Sequence, residues 1–193
     1  MSDTSSEKPL FKNRPNRPIE VDGETVWISR SVTVVLTLLF AKDRQLYMPL
    51  QKRGVEMPFE SGKWGLPGGY LDFDETAGEA VIREVYEELG LYLPALMEQY
   101  PWIGDLDQPY YVESRPLYTV QNVSLRFPML IAVDELPTLA PVVGPGEVEE
   151  ARWFPVEEAI AMPLAFGHDR ITRQCLDTYF HWKQEGDRTL EIL

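Results

Sequence analysis

Glu84, Glu87 and Glu88 lie within five residues of one another, inside the segment GYLDFDETAGEAVIREVYEELGL that runs from Gly69 to Leu91. On a helix turning about 100° per residue, with Glu84 at 0°, Glu88 falls near 40° and Glu87 near −60°. Three carboxylates then share one face and repel each other. Such a face can simply be solvated. It can also hold a hard divalent cation, Mg2+ or Mn2+, which prefers carboxylate oxygens and removes the repulsion. Glu84, Glu87 and Glu88 are therefore candidate metal ligands. Gly68 and Gly69, in the run PGG, are candidates for a tight turn that aims a backbone carbonyl at the same ion. Ala77 and Ala80 share the acidic face and leave room for a ligand. Val81, Ile82, Val85 and Leu89 form the adjoining core stripe, and Gly78 lets the helix approach a sheet closely. Arg83 and Glu75 are eight residues apart, so they can pair directly only if Glu75 lies in the incoming loop or the first turn.

The segment fits the pattern Gly, five residues, Glu, seven residues, Arg-Glu-apolar-x-Glu-Glu-x-Gly-apolar, at Gly69, Glu75, Arg83, Glu84, Val85, Glu87, Glu88, Gly90 and Leu91. In this box, and in the KWGLPGG leading into it, the chain resembles the Nudix hydrolase family. The resemblance implies an α+β fold, an α/β/α sandwich with a mixed sheet and a catalytic loop-helix-loop. It implies a structural salt bridge between Glu75 and Arg83, and metal-dependent hydrolysis of a nucleoside diphosphate linked to another moiety, giving a nucleoside monophosphate and a phosphorylated product. An ADP-ribose-like conjugate is the leading substrate expectation. A pool-cleansing nucleoside triphosphate pyrophosphohydrolase and a non-catalytic nucleotide-sensing module are the alternatives. In similar proteins a loop carboxylate near Glu147, Glu149 and Glu150 reaches the metals, and Glu147 is the favoured general base.

Substrate contacts are expected from arginines on strands and from aromatics. Arg30, Arg53 and Arg126 could clamp a phosphate through parallel hydrogen bonds. Trp27, Phe59, Trp64 and Tyr111 could stack on a base, with core packing the simpler role for Trp64. His168, in LAFGHDRIT, reads most simply as a helix-start residue, with Asp169 as a cap. Cys175 falls with Ile171, Tyr179 and Trp182 at helical spacing and reads as a buried thiol.

The elements that must position these groups follow from periodicity. Residues 26–40 read as one strand buried over much of its length, AKDRQ as a turn, and 45–53 as the returning strand. A loop covers 54–62, a short strand Lys63–Leu66 stops at Pro67-Gly68-Gly69, and a helix spans 75–89 with Gly90 as its terminator. Residues 92–133 read as strands around a long insertion. A Pro/Gly-rich loop, a short strand ARWFP, a helix Val156–Ala161 and a terminal helix Asp169–Lys183 complete the chain. Residues 1–20 read as an extended or flexible N-terminal arm and 21–193 as the hydrolase domain. An arm plus an insertion is compatible with a homodimer.

Composition bounds the rest. The 193 residues carry 18 Lys plus Arg against 31 Asp plus Glu, a net charge of −13. That balance argues against binding a bare nucleic-acid backbone, yet a divalent cation can bridge carboxylates to a small phosphorylated partner. A single cysteine excludes an intrachain disulfide and points to the cytoplasm. The opening MSDTSSEKPL lacks the pattern of a signal peptide, and no apolar run approaches the roughly 20 residues of a membrane helix.

Overall fold

The strand that organises the molecule, β3 (Val32–Lys42), is buried along both of its faces. Alternation sends Val34, Leu36, Leu38 and Phe40 into one core and Val35 and Leu39 into another. The computed structural model describes residues 17–28, 32–115 and 122–181. In it β3 pairs in parallel with β9 (Asn122–Ala132) and antiparallel with β4 (Gln45–Arg53). The β3–β4 hairpin turns at Asp43 and Arg44, both left-handed, the backbone that matches strand twist in a two-residue turn. The sheet runs β10 (Val148–Pro155), β4, β3, β9, β7 (Trp102–Gly104), with β5 (Trp64–Gly65) on β4, β6 (Gly68–Tyr70) on β3 and β8 (Tyr111–Arg115) on β9. Pro128, which cannot donate to a ladder, falls in the gap between the segments of β9 paired with β7 and with β8.

Helices cover both faces, giving the expected α+β sandwich. On one side α1 (Ala77–Leu89) and α2 (Leu93–Gln99) pack Val81, Val85, Leu89 and Leu93 against Phe40, Phe127 and Met129. On the other, α3 (Val156–Ala161) and α4 (His168–Thr178) pack Val156, Ile160, Ile171 and Leu176 against Leu39, Met48 and Leu50. Each such side chain gains about 1.5–3 kcal/mol on burial. Among the described residues no helix is long and apolar enough to cross a membrane.

Several expectations need correction. Residues 26–40 are not one strand. β2 (Glu24–Ile28) belongs to a separate two-stranded sheet with β1 (Arg17–Val21), joined by an Asp22-Gly23 turn. The PGG run does not end strand structure, because Gly68 and Gly69 pair with Val35 and Val34 of β3. The region 92–133 contains α2, in which Pro94 sits in the first turn, where a missing N–H costs little. The terminal helix ends at Thr178; Trp182 and Lys183, Arg30, and residues 1–16 of the expected arm lie outside the described residues.

Candidate active site

Helix α1 starts two residues later than its periodicity predicts, and the start is built from side chains. Thr76 accepts a hydrogen bond from the Glu79 amide at 3.3 Å, while Glu79 accepts one from the Thr76 amide at 2.7 Å. This reciprocal capping fixes the first turn and leaves Glu75 in the incoming loop, the position that lets it meet Arg83. The Arg83 Nε donates to Glu75 Oε2 at 2.9 Å and Nη2 donates to Oε1 at 2.6 Å, a two-pronged pair. Nη1 donates to Glu84 at 2.7 Å and to Glu87 at 3.0 Å, and Nη2 also reaches the Tyr70 carbonyl at 3.0 Å. Only 1% of Arg83 is exposed, so its charge stands on these partners. Burial by itself lowers its pKa; Glu75 and Glu84 outweigh that and hold it above the ordinary arginine value.

Glu84, Glu87 and Glu88 are all buried on this helix. Glu88 accepts a hydrogen bond from the Gly68 amide at 2.9 Å, so Gly68 meets the cluster through its N–H. Two glycines make this close approach. Gly68 has φ +153°, and a Cβ on it would lie 2.2 Å from the Val34 carbonyl oxygen. A Cβ on Gly69 would lie 2.5 Å from Glu84 Oε1. The β6 backbone thus runs along the carboxylates with no room for a side chain. Burial raises the Glu84 pKa to about 7; Arg83 opposes the shift, and Glu87 and Glu147 add to it. Burial and the Glu84 charge push Glu88 well above the carboxylate range, against the Gly68 N–H and Arg53.

The third component comes from the loop before β10. The Gly54 amide donates to the Glu147 carbonyl at 2.7 Å and the Glu56 amide to the Gly146 carbonyl at 3.0 Å, tying this loop to the end of β4. The Glu147 side chain is exposed and lies within electrostatic range of Glu87, Arg53 and Arg83. Partial desolvation and Glu87 raise its pKa, while Arg53 and Arg83 lower it. Glu149 instead pairs with Lys52 at 2.8 Å, and Glu150 pairs with Arg152.

Arg53, at the same end of β4, is 8% exposed. Burial pulls its pKa below the ordinary value, opposed by Glu88, Glu147 and Glu60. Its Nε donates to the Phe59 carbonyl at 3.1 Å. Arg126 is held in a network of its own: it pairs with Glu113, donates to Gln174 at 2.9 Å and lies 4.9 Å from the centroid of the Tyr111 ring. Trp27 belongs to β2, outside the main sheet.

Other readings shift. Ala80 is fully buried in the core rather than opening the acidic face. Gly78 makes its close approach to the Leu106 carbonyl, in a loop, not to a sheet. Asp169 does not cap α4 but pairs with Arg173. His168 opens α4, buried, with Nδ1 accepting the Leu66 amide at 2.8 Å; burial drives its pKa down to about 3, leaving a neutral ring. Cys175 is buried, and burial lifts its thiol to about 12. Phe166, which the sequence does not mark, stands beside Arg53 with its ring centroid 4.8 Å from the guanidinium carbon.

Among the described residues no three His, Cys, Asp or Glu side chains form a ready-made metal cage; Arg83 and the Gly68 amide take the carboxylates instead. The donor chemistry still fits a hard divalent cation. The side chains are oxygen-only, and the buried Glu84 and Glu88 each hold the other's pKa up or are held up by neighbouring carboxylates, a repulsion that a cation relieves.

The model of the NUDIX domain matches residues 30–175. The chain is 27% identical over 121 residues to an NAD-capped RNA hydrolase, NudC, of Stutzerimonas stutzeri, covering 63% of this chain and 36% of that protein. It is 53% identical over 32 residues to a MutT-like protein of Streptomyces ambofaciens, covering 17% and 21%. The chain therefore spans well under half the length of these relatives. Among solved structures, the M. smegmatis Nudix hydrolase RenU aligns with a TM-score of 0.59 at 20% identity, over 84% of this chain and 94% of that one. The NUDIX domain of Shewanella oneidensis NrtR, complexed with ADP ribose, aligns with a TM-score of 0.57 at 23% identity, over 77% and 88%. With the domain model matched across most of its length, and with the sheet and helix arrangement those structures share, the chain belongs to the Nudix family.

Proposed function

We propose that this chain uses a divalent cation, Mg2+ or Mn2+, to hydrolyse the pyrophosphate bond of a nucleoside diphosphate joined to another moiety, of the ADP-ribose type. The observation that carries the reading is the burial of Glu84 and Glu88 together against the β6 backbone, an arrangement of like charges that costs stability and serves no packing purpose. Glu84, Glu87 and Glu88 would hold the cation, which when bound neutralises phosphate oxygens and makes water a better nucleophile.

The remaining steps fall to this chain's own side chains. Arg83 fixes the orientation of Glu84 and Glu87 from behind. Arg53, always protonated, orients a phosphate. Glu147, whose raised pKa brings it closer to neutrality, takes a proton from the attacking water. A bond forms from that water oxygen to phosphorus, the bridging phosphorus–oxygen bond breaks, and the products are a nucleoside monophosphate and a phosphorylated second moiety. The name of the NudC relative, an NAD-capped RNA hydrolase, supports a nucleotide-containing substrate.

The test is a panel of nucleoside diphosphate conjugates and nucleoside triphosphates, incubated with the protein and Mg2+ and followed by phosphomonoester release with added phosphatase. Release from conjugates supports the reading. Pyrophosphate from triphosphates alone would move the assignment to pool cleansing. Binding without any release would make the chain a nucleotide sensor.

A further inference from the structure

Phe166 has φ 54° and ψ 15°, a left-handed backbone that a bulky side chain rarely adopts. Strain of this kind persists only where the surroundings enforce it, and it gathers at ligand sites. Here the enforcing group is visible. The next residue but one, His168, is buried and accepts the Leu66 amide, which anchors the turn to the link between β5 and β6. The strained turn holds out an aromatic ring that is 38% exposed. The His168 ring lies 5.8 Å away at an angle of 52°, and the Arg53 guanidinium lies 4.8 Å from the Phe166 centroid.

Arg53 connects this ring to the carboxylates. It is more than nine-tenths buried, and its charge is felt by both Glu88 and Glu147. Of its five N–H donors, Nε is bonded to the Phe59 carbonyl. Among the described residues no carboxylate lies within ion-pair distance of it. A buried guanidinium with donors to spare, lying over one face of an exposed ring and within electrostatic range of the acidic cluster, suits a ligand with two parts: an anion for the arginine and a planar group for the ring.

We propose that Phe166 is the stacking shelf for the aromatic base of the nucleotide, and that Arg53 beside it clamps the attached diphosphate. The inference rests on the hydrolase reading only for where the diphosphate sits. A stacked base contributes without hydrogen-bond readout and tolerates different bases, so ADP is a fair probe. The shelf accounts for the strain, because a relaxed turn would not present the ring in this position.

The experiment compares Mg2+-dependent binding of ADP and of inorganic pyrophosphate to the whole chain, by equilibrium titration, for the wild type and two variants. Phe166→Gly removes the ring and suits the left-handed backbone, so the thermal midpoint is expected to hold or rise. ADP binding should weaken about five- to a hundredfold, while pyrophosphate binding stays within about twofold. Phe166→Trp should restore ADP binding. Equal weakening for both probes, unchanged ADP affinity in Phe166→Gly, or a wild type that binds ADP no better than pyrophosphate would each overturn the shelf. Phe166-dependent ADP binding in a protein that hydrolyses nothing would sink the hydrolase reading and leave the shelf standing. Hydrolysis with a Phe166-independent KM would do the reverse.

Discussion

Two groups of three glutamates, similar on paper, meet opposite fates. Glu84, Glu87 and Glu88 on α1 are all buried, within reach of Arg83 or the Gly68 amide. Glu147, Glu149 and Glu150 disperse: one lies within electrostatic range of the first group, and the others pair with Lys52 and Arg152. The period of the backbone makes the difference. Spacings of three and four return to one face of a helix, whereas a strand alternates, and the register shift between Val148 and Glu150 scatters the second group further. A cluster of like charges becomes a site only where the backbone forces the charges together and a cation, fixed or bound, holds them there.

That contrast can be broken most severely at Glu88. Glu88→Gln should lower turnover at least about a thousandfold, some 4 kcal/mol of barrier, with an unchanged circular dichroism spectrum; near-normal turnover would remove Glu88 from the site. Arg83→Met strands Glu75, Glu84 and Glu87 without their shared cation. It should cost about 3–5 kcal/mol of stability in urea unfolding, and a loss under about 1 kcal/mol would mean that the arginine is not the pin of the cluster.

Glu147→Gln tests the one loop glutamate that joins the helix group. A fall of about a hundredfold in kcat with little change in KM is the expected result, and an effect no larger than that of Glu149→Gln would return Glu147 to the solvated loop. Mg2+ at a hundred times its dissociation constant should stabilise the wild type by about 2.7 kcal/mol. The shift should vanish in Glu84→Gln and survive in Glu149→Gln, as read from thermal unfolding with and without chelator. Smallest of all, Glu149→Gln itself should leave turnover within about twofold and stability within about 1 kcal/mol, the usual worth of a surface ion pair such as that with Lys52.

Much of this was legible without coordinates. The spacing of Glu84, Glu87 and Glu88 put them on one face, Gly90 ended the helix in the left-handed region, and Val81, Val85 and Leu89 formed the core stripe. These features depend on residues close in the chain, whose geometry follows from the helix repeat. Residue chemistry and local spacing were enough to name the acidic cluster and the hydrolase resemblance, and the resemblance in turn implied the Glu75–Arg83 pair.

Contacts between distant segments were decided only by the folded chain. Glu147 was separated from its neighbours by a bulge, by the hydrogen bond its carbonyl accepts from Gly54 and by the one the Gly146 carbonyl accepts from Glu56, some ninety residues earlier in sequence. The close approach of the Glu84 carboxylate to Gly69 came from another element. Arg53 met Phe166 across more than a hundred residues, through a turn whose strain no single-residue preference announces. Local sequence sets which backbone repeats are favourable, but the burial of a charge, and hence its pKa and its partners, belongs to the packing of elements distant in the chain.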